Sequence, residues 1–147
     1  MLVSSWQLAN PLWNQSSLDE AVLLVKQAYD SGIRFFDTAP NYGDGNSEKA
    51  IGIALKDVRK NCFISTKFGH HPDGTTDFDI NLIEKSVERS LNRLNTDYID
   101  LLLIHNPPSD ILENDLYFKA LNDIKSKGII KHIGVSLDTP TDFLLAI

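Results

Sequence analysis

Short apolar runs alternate along the chain with segments in which apolar residues recur every three or four positions. The first pattern is typical of buried strands and the second of amphipathic helices, so their alternation predicts βα units around a parallel sheet. We predict five strands, at Leu2–Trp6, Ile33–Asp37, Cys62–Lys67, Ile99–His105 and His132–Ser136. The fold class that follows is α/β.

Four complete helices are predicted between and after these runs. Ser17 and Glu20 form a capping box at the start of the first helix, and Gly32 follows its end. The predicted segments are Ser17 to Gly32, Asn46 or Ser47 to Leu55, Ile80 to Leu94, and Asn114 to Gly128. Thr139 and Pro140 have the residue types that begin a further helix.

The number of elements predicts part of a (β/α)8 TIM barrel, because a closed barrel takes about 250 residues and this chain has 147. Met1 lies almost inside the first strand-like run, and the fifth helix has only begun when the chain reaches Ile147. We therefore expect a single domain over residues 1–147 that is the incomplete N-terminal portion of a barrel, with strands one to five.

Composition and charge exclude several classes of protein. The formal net charge is −6, and the basic residues are scattered, so we expect no nucleic-acid partner. No apolar run approaches the roughly 20 residues of a membrane span, so we expect no membrane partner and a cytoplasmic location. The single cysteine, Cys62, lies in a strand-like run and is predicted to be a buried, inert thiol.

Several predicted strands end in a polar or ionisable residue, namely Asp37, Lys67, His105 and Ser136. The carboxyl ends of parallel strands lie at one edge of the sheet, where barrel active sites are built. These side chains are therefore expected to meet although they are far apart in sequence.

Tyr42 lies five residues beyond Asp37, in a glycine-containing loop that can return to the same edge. A lysine beside a phenol favours the phenolate, and a carboxylate that holds the lysine fixes its charge and position. A histidine that hydrogen-bonds the same substrate oxygen would orient it. The group therefore predicts proton delivery to a carbonyl oxygen.

Four segments resemble the aldo-keto reductase family, and the likeness covers nearly the whole chain. The segment 32–39 reads GIRFFDTA and 42–48 reads YGDGNSE, as in a signature of that family. The segments 64–67, ISTK, and 98–105, YIDLLLIH, resemble the strands that carry its lysine and histidine.

The resemblance implies an oxidoreductase that reduces aldehydes or ketones to alcohols, with a small-molecule carbonyl as substrate. It implies that Tyr42 is the general acid, that Lys67 and Asp37 tune it, and that His105 positions the carbonyl. A nicotinamide cofactor, NADPH or alternatively NADH, would supply hydride.

The resemblance also implies two cofactor-binding residues, and one of them departs from the family pattern. Thr38 would lie near the nicotinamide ring. Ser136 would make half of a carboxamide contact, because Leu137 stands where the family commonly has asparagine. The family's last three strands and its adenosine-phosphate site have no counterpart in this chain.

Two alternatives from other functional classes remain open. The chain could be a non-catalytic half-barrel or accessory subunit that self-associates through open sheet edges. Lys67 could instead be the Schiff-base nucleophile of an aldolase.

Two weaker motifs do not lead us to predict a binding site. A metal site is not predicted, because His70 and His71 are adjacent and no ligand beyond Asp73 lies near them. The segment 43–45, GDG, lacks the third glycine of a dinucleotide-binding fingerprint.

Overall fold

The computed structural model describes residues 2–5 and 17–137. Five strands form one parallel sheet in the order of the chain, which confirms the α/β prediction. The strands are β1 Leu2–Ser4, β2 Phe35–Asp37, β3 Phe63–Phe68, β4 Ile99–His105 and β5 Ile130–Ser136. The fifth strand begins earlier than predicted because Ile130 pairs with Ile99.

The helices agree with the predicted ones in number and order, with one short addition. They are α1 Leu18–Asp30, α2 Asn46–Ala54, α3 Ile83–Leu94, α4 Ser109–Leu112 and α5 Asp115–Ser126. The single turn α4 has no apolar period of its own, so the pattern did not reveal it. The helix predicted from Thr139 lies outside the described residues.

Local capping explains several of the observed helix limits. The Ser17 hydroxyl accepts the backbone N–H of Glu20 at 3.2 Å, and the Glu20 carboxylate accepts the N–H of Ser17 at 2.8 Å. This is the predicted capping box. The predicted third helix divides into a 3-10 helix, Ile80–Leu82, and α3, Ile83–Leu94. Asp79 caps the start of the 3-10 turn by accepting the N–H of Asn81. A second 3-10 helix, Lys56–Asn61, precedes β3.

The core lies between one face of the sheet and the helices. Strand residues on this face include Phe36, Ile64, Leu102 and Ile104, each at most 1% exposed. Helix residues packed in the same cluster include Val25, Ile51, Val87, Leu94 and Leu121. The predicted apolar stripes of the helices therefore form the core, as their spacing requires.

The opposite face of the sheet leads to the candidate site. Phe35 and Phe63 lie on it in register, with ring centroids 4.7 Å apart. Because side chains alternate between faces, Asp37, Lys67 and His105 project from this same face further along their strands. The fold thereby brings three of the predicted site residues to one edge.

The outer strands of the described sheet, β1 and β5, each have one hydrogen-bonded neighbour among the described residues. Self-association through these edges stays a prediction. In the described part of the chain, no helix combines the length and apolar character needed to cross a membrane.

Candidate active site at the carboxyl edge of the sheet

Lys67 is the centre of the polar cluster. Its ammonium donates to Asp37 Oδ2 at 2.8 Å, to the Thr38 carbonyl at 2.9 Å and to Tyr42 Oη at 3.2 Å. The side chain is only 5% exposed. Since an ammonium has three N–H donors, these three oxygens use all of them. The positive charge is therefore held at a fixed position beside the phenol.

Asp37 is held from two neighbouring strands as well as by the lysine. Its Oδ1 accepts the hydroxyl of Ser65 at 2.6 Å, and its Oδ2 accepts the hydroxyl of Ser4 at 3.4 Å. Ser65 is the register partner of Asp37 across β2 and β3. The sheet register therefore fixes the carboxylate, and the carboxylate in turn fixes Lys67.

Tyr42 reaches this edge on the loop between β2 and α2. The loop is closed by two backbone bonds, from the Tyr42 N–H to the Ala39 carbonyl at 3.1 Å and from the Ser47 N–H to the Tyr42 carbonyl at 3.3 Å. The Tyr42 ring lies edge-on to the His105 imidazole, with centroids 6.2 Å apart and planes at 84°. The phenol thus contacts both the ammonium and the imidazole.

His105 ends β4 and is 9% exposed. Its register partner is Ser136, the last residue of β5. The four residues predicted to be catalytic, Asp37, Tyr42, Lys67 and His105, therefore lie in one contiguous cluster. A second imidazole, that of His70, lies against the His105 ring with centroids 4.4 Å apart and planes at 33°; the sequence did not reveal this contact.

The two residues expected near a cofactor take different positions. Thr38 is fully buried, and its hydroxyl shares a hydrogen bond of 2.9 Å with the hydroxyl of Ser47. The group of Thr38 that contacts Lys67 is its backbone carbonyl. The Ser136 carbonyl accepts the N–H of Asn106 at 2.8 Å. Asn106 Oδ1 is buried and has no hydrogen-bond partner among the described residues.

A buried ion pair supports the site from the helix side. Glu48, at the start of α2, accepts the Thr66 hydroxyl at 2.7 Å and the Arg93 guanidinium at 2.6 Å. Thr66 precedes Lys67 in β3, so the pair anchors the strand that carries the lysine. The sequence contained no direct signal for this contact beyond an acidic residue in the first turn of α2.

Cys62 and His71 lie apart from the cluster. Burial raises the pKa of the Cys62 thiol, although Arg34 and Arg59 oppose the shift, and the side chain is 7% exposed. These properties fit an inert thiol. His71 Nε2 lies 4.0 Å from Asp77 Oδ2. Within residues 2–5 and 17–137, no cluster of three or more potential ligands could hold a metal.

A groove of about 740 Å³ opens at the other edge of the sheet. It is lined mainly by the 3-10 helix Lys56–Asn61 and by the segment before β4. None of the predicted site residues borders it, so the candidate site is the polar cluster at the carboxyl edge.

Known proteins match both the sequence and the fold. The model of the Aldo/keto reductase family matches residues 4–143. L-galactose dehydrogenase of Arabidopsis thaliana is 37% identical over 123 residues, which are 80% of this chain and 38% of that protein. D-threo-aldose 1-dehydrogenase of a Pseudomonas species is 35% identical over 150 residues, with 84% and 46% coverage.

A solved aldo-keto reductase of Bacillus halodurans, in its holo form, superposes with a TM-score of 0.83 at 26% identity. The match covers 98% of this chain and 48% of that structure. The chain thus spans about half the length of the relatives it matches. The family match over most of the residues, together with the matching fold, shows that this chain belongs to the aldo/keto reductase family.

Proposed function

We propose that the carboxyl-edge cluster reduces an aldehyde or ketone to an alcohol, with Tyr42 as the proton donor. The observation that carries the proposal is the contact of the Lys67 ammonium with Tyr42 Oη at 3.2 Å. A positive charge at that distance stabilises the phenolate that remains after the proton has left. Asp37 balances the charge of Lys67 and holds it in place through the 2.8 Å ion pair.

The reaction adds a hydride to the carbonyl carbon and a proton to its oxygen. When bound, a reduced nicotinamide, NADPH or NADH, would supply the hydride. Tyr42 donates the phenolic proton to the carbonyl oxygen as the C=O double bond becomes a single bond. His105, next to the Tyr42 ring, donates a hydrogen bond that orients the same oxygen.

The residues at the ends of β4 and β5 fit the amide end of such a cofactor. Asn106 Oδ1, which is buried and has no hydrogen-bond partner among residues 2–5 and 17–137, is an acceptor for a carboxamide N–H. The backbone N–H of the same residue donates to the Ser136 carbonyl. We propose that Ser136 and the backbone of Thr38 border the nicotinamide. A cytoplasmic location, where reduced nicotinamides are available, is part of the proposal.

The hydrogen bonds of Lys67 argue against the aldolase alternative. A Schiff-base lysine attacks as a neutral amine with a free lone pair. In this chain the Lys67 nitrogen donates to three oxygens, one of them a carboxylate at 2.8 Å. A nitrogen engaged by three oxygens in this way has no position left for attack on a carbonyl carbon.

Substitution of Tyr42→Phe tests the proposed proton donor. The change retains the ring but removes the hydroxyl, and we expect kcat for reduction to fall by about 100- to 10,000-fold, the usual contribution of general acid catalysis. The measurement is oxidation of NADPH, and in parallel of NADH, with a panel of aldehydes that includes aldoses, since two relatives are named as sugar dehydrogenases.

Tyr98→Phe is the matched control. Tyr98 lies before β4 at the opposite edge, where its ring contacts Arg59 and Lys131, so the same chemical change there should leave the reduction rate unaltered. A Tyr42→Phe variant as active as the unsubstituted chain would refute the proposed acid. An unsubstituted chain that reduces no member of the panel would refute the proposed activity of this chain.

A further inference from the structure

The imidazole of His70 lies against that of His105 at the proposed carbonyl site. The ring centroids are 4.4 Å apart, and the planes meet at 33°, which is a tilted stack. His70 belongs to the loop after β3 and has no place in the cluster formed by Asp37, Tyr42 and Lys67. The contact therefore brings a fifth side chain to the proposed site.

The plane of a histidine ring has to be fixed by its surroundings. The χ2 torsion of histidine is broad, with no sharp staggered minimum, so packing decides which way the ring nitrogens point. Tyr42 meets the His105 ring edge-on at 84°, whereas His70 covers it at 33°. One ring that meets the imidazole edge-on and a second ring that covers its face restrict the rotation about χ2 more than either ring does alone.

The position of His70 is itself determined by a closed loop. His70 forms a β-bridge with Thr76, and the His71 N–H donates to the Thr75 carbonyl at 2.8 Å. The Asp77 N–H donates to the Gly69 carbonyl, also at 2.8 Å. The loop is therefore folded back on itself at the residue that carries the imidazole.

Phe78 completes this support. Gly69 has φ +106°, and a Cβ atom there would overlap the Phe78 ring. Phe78 also contacts the His70 ring edge-on, with centroids 6.1 Å apart. Only glycine at position 69 allows this approach, and the result is a row of three rings from Phe78 through His70 to His105.

We propose that His70 is a positioning residue that holds the His105 imidazole in the orientation needed to hydrogen-bond the carbonyl oxygen. The role rests on the carbonyl reduction proposed above. His70 acts through His105, by ring contact, and exchanges no proton with the substrate. A planar ring of similar size at position 70 should therefore replace it, whereas a small side chain should not.

The first test detects the contact between the two imidazole rings by NMR and does not require enzymatic activity. In the full chain, His70→Ala should shift the ring-proton NMR signals of His105, because the ring current of a stacked neighbour is lost. His70→Phe should retain a ring-current shift. His71→Ala is the matched control, since His71 lies beside Asp77, and it should leave the His105 signals in place.

The second test measures the effect of the substitutions on kcat and KM. His70→Ala should lower kcat by up to about a hundredfold, the cost of a misplaced catalytic group, with a smaller change in KM, and His70→Phe should restore most of the loss. Unshifted His105 signals in His70→Ala would overturn the proposal whether or not the chain is active. An active chain whose kcat is unchanged in His70→Ala, or is not rescued in His70→Phe, would also overturn it. If the unsubstituted chain is inactive, the proposed reduction fails, and the NOEs between the Tyr42 and His105 rings then decide whether His70 holds the imidazole plane. NOEs that stay unchanged in His70→Ala would overturn the positioning role.

Discussion

Glu48 is a charged residue in a fully buried position. Its carboxylate is 0% exposed and has two partners, the Thr66 hydroxyl and the Arg93 guanidinium. A buried charge is tolerated when it is paired and hydrogen-bonded, and it becomes costly when one partner is removed. The pair matters for function because Thr66 is adjacent to Lys67.

Replacing Arg93→Met should therefore destabilise the protein strongly. Methionine fills a similar volume but leaves the Glu48 carboxylate without its counter-charge, and such a loss typically costs about 3 to 5 kcal/mol. The free energy of unfolding in urea measures it.

A surface pair provides the control for this experiment. Lys127 and Glu84 lie 2.6 Å apart, but their side chains are 52% and 53% exposed. Exposed ion pairs contribute little to stability, so Lys127→Met should leave the urea midpoint almost unchanged. Equal losses in the two variants would show that burial of Glu48 does not govern the effect.

At the scale of elements, helices α2 and α3 approach each other closely at Gly52. A Cβ atom at this position would lie 2.5 Å from the backbone carbon and oxygen of Leu94. The absence of a side chain therefore sets the distance between the two helices. These helices carry Glu48 and Arg93, so their separation also determines the geometry of the buried pair.

Gly52→Ala should lower stability, although helix propensity alone predicts the opposite sign. In an unobstructed helix interior, alanine is more favourable than glycine by roughly 1 kcal/mol. Here the added methyl group meets rigid backbone, so the helices have to move apart. Thermal unfolding of the variant gives the sign, and a raised melting temperature would contradict the close packing.

The sequence predicted the elements where periodicity or capping was strong, as in α1, β4 and α5. It missed α4 and the 3-10 helix Lys56–Asn61, since a few residues cannot display a period. The meeting of Asp37, Lys67 and His105 was predictable because parallel strands end at one edge. The stack of His70 on His105 was not, because it depends on how the loop after β3 folds back.

At the scale of the whole molecule, Asp100 joins three strands at the edge opposite the candidate site. Its carboxylate accepts the Ile64 N–H of β3 at 3.0 Å, Arg59 at 2.7 Å and Lys131 of β5 at 2.9 Å. An acidic residue between Ile99 and Leu101, within an apolar strand, was a visible signal of a buried charge. Its partners were not predictable, because Arg59 is 41 residues away.

Protonation of Asp100 in acid should therefore lower the free energy of unfolding of the protein. Burial raises the pKa of its carboxyl, but the hydrogen bonds from Ile64, Lys131 and Arg59 outweigh burial and hold the pKa below its usual range. A carboxyl whose pKa is lowered by folding contributes stability above its unfolded pKa, near 4, and loses it as the pH falls towards the folded pKa. Below the folded pKa, that contribution is gone.

Unfolding free energies of the unsubstituted chain and of Asp100→Asn, measured from neutral pH to about pH 3, test this linkage. We expect the variant to be much less stable at neutral pH and the difference to shrink as the medium becomes acidic, because the wild-type carboxylate is then protonated too. Asp97→Asn removes an exposed carboxylate nearby and controls for the change in net charge. A free energy of unfolding of Asp100→Asn that differs from that of the unsubstituted chain by the same amount at every pH would contradict the lowered pKa. The stabilising effect of Asp100 would then come from the geometry of its side chain.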